Sequence, residues 1–487
     1  MISTTKGKQL LCALPKFHAR QSHTKPALHP VQARRFTKTC SFAYPATHST
    51  TAPTTSDTEF DALVVGAGAG GVTAASLLAN KGYRTLLVEA KDCIGGRAST
   101  RLVDGFLVNT GALVIELDGA VAKTYKDVGL SLRLYEPSRA STVLRFGGRD
   151  INITDSLVGA IRNITPTVFA SISRVLPWLR PKKGESTRSW LNNFTRSQTI
   201  HGVVNNILGA MFAVRADHMP SEVFLHYFLK DTSFKKIGMP PGGTIEVWKP
   251  LADYVNKTGG QVWLNSTVSK LIFGSDGLVA GALVQRADGS EIQISSKVTV
   301  SNVGPLETVR LASPTNFPAG YAEMIERWAD PAAIITVHFA SQTPLAMFPC
   351  LAIFGKSRRM VYAGNFSAPE LQRAPEGWHL YCGASVPIPS QGDFDVEKEK
   401  ALLLEDLHDH FPGFDKAKIV AIDVTANSWP AQRAVSGFDQ PQTTPVANLF
   451  NVGDGVKPWA SGGTAACSQS ARIVVEKIVE IFPLSRE

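Results

Sequence analysis

The chain has 487 residues, a formal net charge of +9 and 19% charged residues, with a mean hydropathy close to zero. That length is too great for one simple core and predicts two domains with much buried surface. The charge does not imply a nucleic-acid surface. Residues 1–56 contain Lys6, Lys8, Lys16, Arg20, Lys25, Arg34, Arg35 and Lys38 with no Asp or Glu, which leaves only +1 for everything else.

This leader is basic, acid-free and rich in Ser, Thr and Pro, which reads as a disordered organellar transit peptide. It lacks the long apolar core of a secretory signal. Arg34-Arg35-Phe36 suits a mitochondrial processing site, but plastid peptides share the composition. The expected location is therefore a mitochondrion or a plastid, with the chain soluble or peripherally membrane-associated.

The next segment carries the most chemistry. Ala62-Leu63-Val64-Val65 is an apolar run suited to a buried parallel strand. Gly66, Gly68 and Gly71 then fit G-x-G-x-x-G, and Thr73–Ala79 reads as the start of a helix. In this pattern Gly66 permits the tight turn, Gly68 lets backbone approach a pyrophosphate, and Gly71 allows close helix–strand packing. The helix N-terminus offers unpaired N–H groups and a positive dipole end to phosphates. A second strand, Thr85-Leu86-Leu87-Val88, ends at Glu89, where an acid would hold ribose hydroxyls. Strand, glycines, helix, strand and acid in that order predict a dinucleotide site. Gly95-Gly96-Arg97 follows six residues after Glu89, and the second glycine pair would bring the chain close to the same ligand while Arg97 reaches phosphate.

With that doublet the segment resembles the GG-doublet flavoproteins, which include amine oxidases, phytoene desaturases and carotenoid isomerases. The resemblance implies FAD rather than NAD. Asp104–Gly111 is similar to the family's "dGf..D.G" segment beside the cofactor. Asn109 stands where an aspartate is common, so no acid role is carried onto it.

Farther along, residues 120–235 read as mainly helical, with apolar recurrence in Thr187–Phe194 and Val203–Phe212. The stretch 151–180 is apolar with interspersed arginines. It can dip into a membrane surface to admit a lipid, although an ordinary helix over the core is the simpler reading. Lys236–Gly243 leads into a helical stretch, Thr244–Thr258, and the strand Gln261–Leu264. Hairpin segments Val268–Phe273 and Val279–Arg286 come next, then Glu291–Ile294 and Val298–Val303. This order resembles the desaturase branch, where it implies a small sheet beside the adenosine half of FAD. Tyr254 and Trp263 read as core aromatics. Ala333–Phe339 and His379–Val386 suit strands of a substrate-cavity sheet.

The C-terminal part, Asn448–Ala466, is a buried strand ending in Gly453-Asp454, followed by a Gly/Ala-rich helix start. Asp454 would accept hydrogen bonds from ribityl or ribose hydroxyls. Gly462 and Gly463 would turn a helix N-terminus toward the flavin, where its dipole stabilises an anionic reduced form. Trp459 sits where some amine oxidases place an aromatic beside the flavin, and a structural role suits it equally. Cys467 reads as a buried inert thiol inside the helix.

The resemblance, which spans about 60–478, implies cofactor contacts at Gly66, Gly68, Gly70, Gly71, Glu89, Ala90, Gly95, Gly96, Arg97, Gly111, Val268, Gly453, Asp454 and Gly463. No catalytic acid or base emerges, and neither does the lysine that amine oxidases often hold near flavin N5. Metal binding is not expected: His408 and His410 are two apart and read as a solvated pair. The four cysteines beyond the leader form no C-x-x-C, which weighs against a disulfide framework or a redox dithiol. No run of 18 apolar residues predicts a membrane span.

The expected fold is α/β: a doubly wound, Rossmann-type FAD domain (57–125, 236–312, 441–487) with a discontinuous α+β substrate domain (126–235, 313–440). The expected function is FAD-dependent desaturation of an apolar polyene, isoprenoid or other lipid. Only one dinucleotide fingerprint is present, so oxygen, a quinone or another carrier is the expected electron acceptor. An amine oxidase acting on a C–N bond and a non-catalytic prenyl-lipid escort of the same fold are the alternatives.

Overall fold

The computed structural model describes residues 58–484, except 138–140, 147–148, 153–171, 174–175 and 230–235. The leader therefore lies outside the described residues, as does most of the stretch considered for membrane contact.

Two seven-stranded sheets organise the described residues. In the first, Glu59–Val65 is central and pairs in parallel with Thr85–Val88 on one side and with Glu291–Ser301 on the other. Gln261–Trp263 extends the sheet beyond Thr85–Val88, and Leu449–Asn451 adds in parallel to the end of Glu291–Ser301. The sheet's buried parallel segments Ala62–Val65 and Leu86–Val88 are apolar, as suits strands covered on both faces. Its helices are Ala69–Asn80, Ile245–Lys257 and Gly463–Ile481, and Trp248, Leu78, Ala471 and Ile478 close the core at 0% exposure.

One expectation from sequence needs correcting here. Glu291–Ile294 and Val298–Val303 are not separate strands but one, Glu291–Ser301. Its first half pairs antiparallel with Val279–Gln285 and its second half in parallel with Glu59–Val65. The polar Ser295-Ser296-Lys297 between them looks like a break in sequence, yet it continues the strand because both neighbours supply ladder partners. The hairpin Thr267–Phe273/Val279–Gln285 is therefore an extension of the main sheet rather than a small sheet of its own.

The second sheet runs Lys418–Thr425, Ile334–Ser341, His379–Ser385, Met360–Asn365, Leu351–Phe354, Thr142–Phe146 and Arg149–Asn152. All neighbours are antiparallel except Leu351–Phe354 with Thr142–Phe146. Every residue of Ile334–Ser341 is buried. One face packs Val337 and Phe339 against Leu403, Leu407 and Phe411 of the helix Val396–His410 and its end. The other face, with Ile334, Cys382 and Ala384, meets Phe106 and Val108 of the hairpin Thr100–Val103/Phe106–Asn109. Double coverage explains why these strands show weak alternation in sequence.

Trp263 is 7% exposed, edge-on to Phe60 and stacked under Arg286, so it is a core aromatic; Tyr254 is half-buried and bonds Asn80. The histidine pair separates as its spacing requires. His408 is exposed beside Asp415, but His410 packs on Phe354, so only the first is a solvated group. No helix among the described residues is long and apolar enough to cross a membrane, and none of their His, Cys, Asp or Glu side chains cluster as metal ligands.

Candidate active site

A cavity of about 480 Å³ opens at the carboxyl ends of the first sheet's parallel strands and reaches the second sheet. This is the position that open α/β sheets reserve for ligands. Its floor starts at Gly66, which turns the chain with φ 92° and donates to Val88 O at 2.8 Å. The helix begins at Ala69, with Gly68 as its N-cap, four residues earlier than the apolar run suggests. Gly70 and Gly71 thus occupy the first turn, where backbone N–H groups lack intrahelical partners.

The glycines here differ in what requires them. A Cβ on Gly71 would lie 1.9 Å from Gly66 O, so this residue serves helix–strand contact and does not line the cavity. A Cβ on Gly68 would meet Asn302 Nδ2 at 2.7 Å, and one on Gly70 would meet Asn302 Oδ1 at 2.7 Å. Asn302 closes the third parallel strand and donates to Gly66 O at 3.3 Å. It is a lining residue that sequence reasoning did not single out.

Glu89 accepts from Ala67 N at 2.7 Å and from Lys91 N at 3.0 Å, which ties the end of the second strand to the glycine turn. Burial raises its carboxyl above the usual range, against those two hydrogen bonds. Gly95 donates to Ala67 O at 2.7 Å, and its own Cβ would strike Trp248 Cδ1 at 2.7 Å. The second glycine pair therefore lies directly on the first turn. Gly111 lets the chain cross Arg97, because a Cβ there would be 2.3 Å from Arg97 O.

Of the residues expected to contact a cofactor, Gly66, Gly68, Gly70, Glu89, Ala90, Gly95, Gly96, Arg97, Gly111, Val268, Gly453, Asp454 and Gly463 all line this one cavity; Gly71 does not. Two of them are engaged differently from expectation. Arg97 meets Asp454 with both terminal nitrogens, at 2.9 Å and 2.5 Å, and also donates to Pro430 O at 2.8 Å. Asp454 further accepts from Arg433 N at 2.7 Å. Its carboxylate thus anchors two arginines instead of standing free for a hydroxyl. Burial would raise its pKa, but the charge and hydrogen bonds of Arg97, then Arg433 and Lys457, hold it well below the usual range.

Arg433 and Lys457 are further lining residues, and no local sequence pattern marks either of them. Burial and the nearby Arg97 lower the Arg433 guanidinium to about 10. The Lys457 side chain is fully buried, and its ammonium donates to Asp439 at 2.6 Å, Ala434 O at 2.7 Å and Asp454 O at 2.8 Å. Its three donors are therefore spent on protein acceptors.

The opposite wall comes from the second sheet and the helix Gln198–Phe212: Ala210, Met211, Ile334, Thr336 and Tyr362. At the lip, the Lys91 ammonium lies 3.5 Å from the Trp429 ring centroid.

Residues 69–479 match the family of flavin-containing amine oxidoreductases. The chain belongs to that family. A 15-cis-phytoene desaturase (chloroplastic/chromoplastic) of Solanum lycopersicum is 22% identical over 485 residues, covering 87% of this chain and 78% of that protein. The fold is also that of solved structures. An oxidoreductase from Methanosarcina mazei superposes with a TM-score of 0.73 at 23% identity, over 85% of this chain and all of that one. A putrescine oxidase bound to putrescine gives 0.61 at 16% identity, over 87% and 99%.

As a member of this family the protein is a flavin-dependent oxidoreductase, and the cavity suits such a group. Backbone replaces side chains along its floor, and two helix N-termini, at Ala69 and Gly463, open onto it. Donors and positive dipole ends of this kind complement an anionic ligand.

Two open sequence readings can be made more specific. Trp459 is 47% exposed and edge-on to His226, and it is not among the residues that line the cavity. Cys467 lies within Gly463–Ile481 as expected, on the side of the helix that lines the cavity near Arg97 and Asp454. Burial and the Asp454 charge push its thiol up to about 12. At pH 8 only about one molecule in ten thousand would carry the thiolate that adds to electrophiles. Acid precipitation of the yellow protein should therefore release all flavin into the supernatant; colour retained in the pellet would show a covalent bond.

Proposed function

We propose that the flavin is FAD and that the protein dehydrogenates an apolar substrate, such as a polyene, isoprenoid or other lipid, in the cavity between the two sheets. The observation that carries this reading is the distribution of charge along the cavity wall. Among the described lining residues the acids are Glu89, Glu307 and Asp454, all on the first-sheet side. The facing wall of Ala210, Met211, Ile334, Thr336 and Tyr362 carries no charge. A neutral, largely apolar wall favours an uncharged substrate held away from water. The tomato relative is a phytoene desaturase, and desaturation agrees with that chemistry.

The proposed cofactor contacts are the lining glycines 66, 68, 70, 95, 96, 111, 453 and 463, with Glu89, Ala90, Arg97, Val268 and Asp454, and we add Asn302 and Arg433, which line the same cavity. Glu89 holds the ribose side of the glycine turn. The first turn of Ala69–Asn80 presents N–H donors to the pyrophosphate. Asp454 fixes the Arg97 and Arg433 guanidinium groups at the middle of the cavity, and the N-terminus of Gly463–Ile481 faces the redox end. When bound, FAD supplies a two-electron acceptor, and the chain supplies orientation and electrostatics. The electron acceptor is proposed as oxygen, a quinone or another carrier. The leader is proposed to direct the chain to an organelle.

An amine substrate fits less well. Trp459 stands outside the cavity, and the Lys457 ammonium has no donor left for a water beside the flavin.

Anaerobic mixing of the purified yellow protein with polyene lipids, amines or NAD(P)H separates the readings. Flavin absorption near ~450 nm should bleach with an apolar substrate alone. Bleaching only by an amine would overturn the proposal, and bleaching by NAD(P)H would overturn the choice of acceptor. Gly68→Val should purify without flavin, since the side chain would enter the space between the turn and Asn302; full flavin content would remove the glycine turn from the site.

A further inference from the structure

The face of the second sheet that brings Ile334 and Thr336 to the cavity continues along the same strand to His338, beyond the cavity's end. The hairpin Thr100–Val103/Phe106–Asn109 covers this region, together with the segment after Leu371. His338 and Arg373 are each 1% exposed.

Arg373 donates Nε to Leu107 O at 2.8 Å and Nη2 to Asn109 Oδ1, with its guanidinium 4.7 Å from the Phe366 ring centroid. Its Nη1 has no partner. Arg101 donates Nη2 to both oxygens of Asp423 at 2.8 Å, and its Nε has none. Neither ring nitrogen of His338 is bonded. Four buried nitrogens of these three side chains thus find no partner among the described residues.

The charges do not balance either. Arg101 and Asp423 neutralise each other, whereas Arg373 has only neutral acceptors and an aromatic face. A buried cation without a counter-charge is among the costliest arrangements in a protein interior. Native structures resolve such groups with an ordered water or ion, and water supplies no charge. The topology brings the groups together: Arg101 reaches Asp423, which pairs with Thr336 two residues from His338, and Arg373 is bonded to Leu107 and Asn109, on either side of the Val108 that pairs with Arg101. Burial, then Arg373 and Arg101, lower His338 to about 3, which leaves it neutral with one N–H to donate.

We propose that Arg373, Arg101 and His338 hold a small monovalent anion of the halide class, sealed between the hairpin and the second sheet. It is small because none of the three residues lines the cavity, so a long substrate has no route to them. It is monovalent because one positive charge is uncompensated. The anion fastens the hairpin that leads from the Arg97 turn, where Thr110 N bonds Ser99 O and Ala112 N bonds Arg97 O, to the substrate-facing sheet.

Crystals of the flavin-loaded protein, purified throughout in bromide, should show an anomalous peak between Arg373 and His338. Replacing gluconate by bromide at fixed ionic strength should raise Tm by about 1.5 °C per tenfold above the dissociation constant. Arg373→Met should abolish both signals, and His338→Leu, a milder change, should weaken the bromide dependence. Ordinary water density without an anomalous peak, or a bromide peak that persists in Arg373→Met, would overturn the assignment.

Discussion

Gly71→Ala is expected to be among the most damaging single-methyl changes in the flavin half of the molecule, and the one that strikes the cofactor turn most directly. Its Cβ would lie 1.9 Å from Gly66 O and 3.2 Å from Asn302 Cβ. The helix Ala69–Asn80 cannot retreat cheaply, because its residues from Ala69 to Ala79 are all buried between the sheet and neighbouring helices. Overpacking of this kind costs about 1–3 kcal/mol when surroundings can yield, and here both contacts are backbone or anchored side chain. The strain falls on the first turn, where N–H donors must point into the cavity. Flavin affinity should therefore drop at least about tenfold, or 1.4 kcal/mol, in addition to lower thermal stability. A variant that purified fully yellow with an unchanged Tm would show that the contact relaxes without consequence.

Asp454→Ala should have the second large effect. The carboxylate holds Arg97 through two contacts, bonds Arg433 N and lies 3.8 Å from Arg433 Nε. Removing it leaves two mostly buried guanidinium groups facing each other, which by analogy with other broken buried pairs costs about 3–5 kcal/mol. Flavin content and denaturant midpoint should fall together. The pH dependence has a fixed sign. The folded Asp454 carboxyl titrates below its unfolded value, about 3.9, so its stabilisation is complete above that pH and fades as the pH falls toward the folded value. The stability gap between wild type and Asp454→Asn should be flat above about pH 5 and narrow below about pH 4. A gap that opens on acidification would contradict the ion-pair geometry.

The two positions also show how far the sequence could be read. Gly71 was legible with its role, because G-x-G-x-x-G encodes a backbone constraint within six residues and local sterics decide it. The position of Asp454 was legible as well, since a strand ending in Gly-Asp before a glycine-rich helix start is a local pattern. Its partner was not. Arg97 and Asp454 are 357 residues apart, and nothing in either neighbourhood says that one would consume the other's hydrogen-bonding capacity. Arg433, Lys457 and Asn302 were missed for the same reason: each is an ordinary polar residue locally, and becomes part of the cavity through distant packing. Asn302 is the most recoverable, because a polar residue that ends a parallel strand beside a glycine turn faces the same crevice.

For Cys467 and Trp459 the sequence left open which way each side chain faces. Helical periodicity alone cannot say which side of Gly463–Ile481 faces the cavity, and a family-like position for Trp459 does not fix its rotamer or the path of the loop. In Glu291–Ser301, three polar residues looked like a break until both neighbouring strands were seen to pair with it.

The sequence by itself determined the family, the flavin-type turn with its glycine doublet, and the alternation of first-sheet and second-sheet segments along the chain. These rest on short-range constraints: positive φ, backbone approach and strand periodicity. Only the tertiary structure decided which charges neutralise one another, which residues face the cavity, and that Arg373 is buried without a counter-charge. Those outcomes depend on contacts between elements tens to hundreds of residues apart, where burial, not local pattern, sets the energy of each polar group.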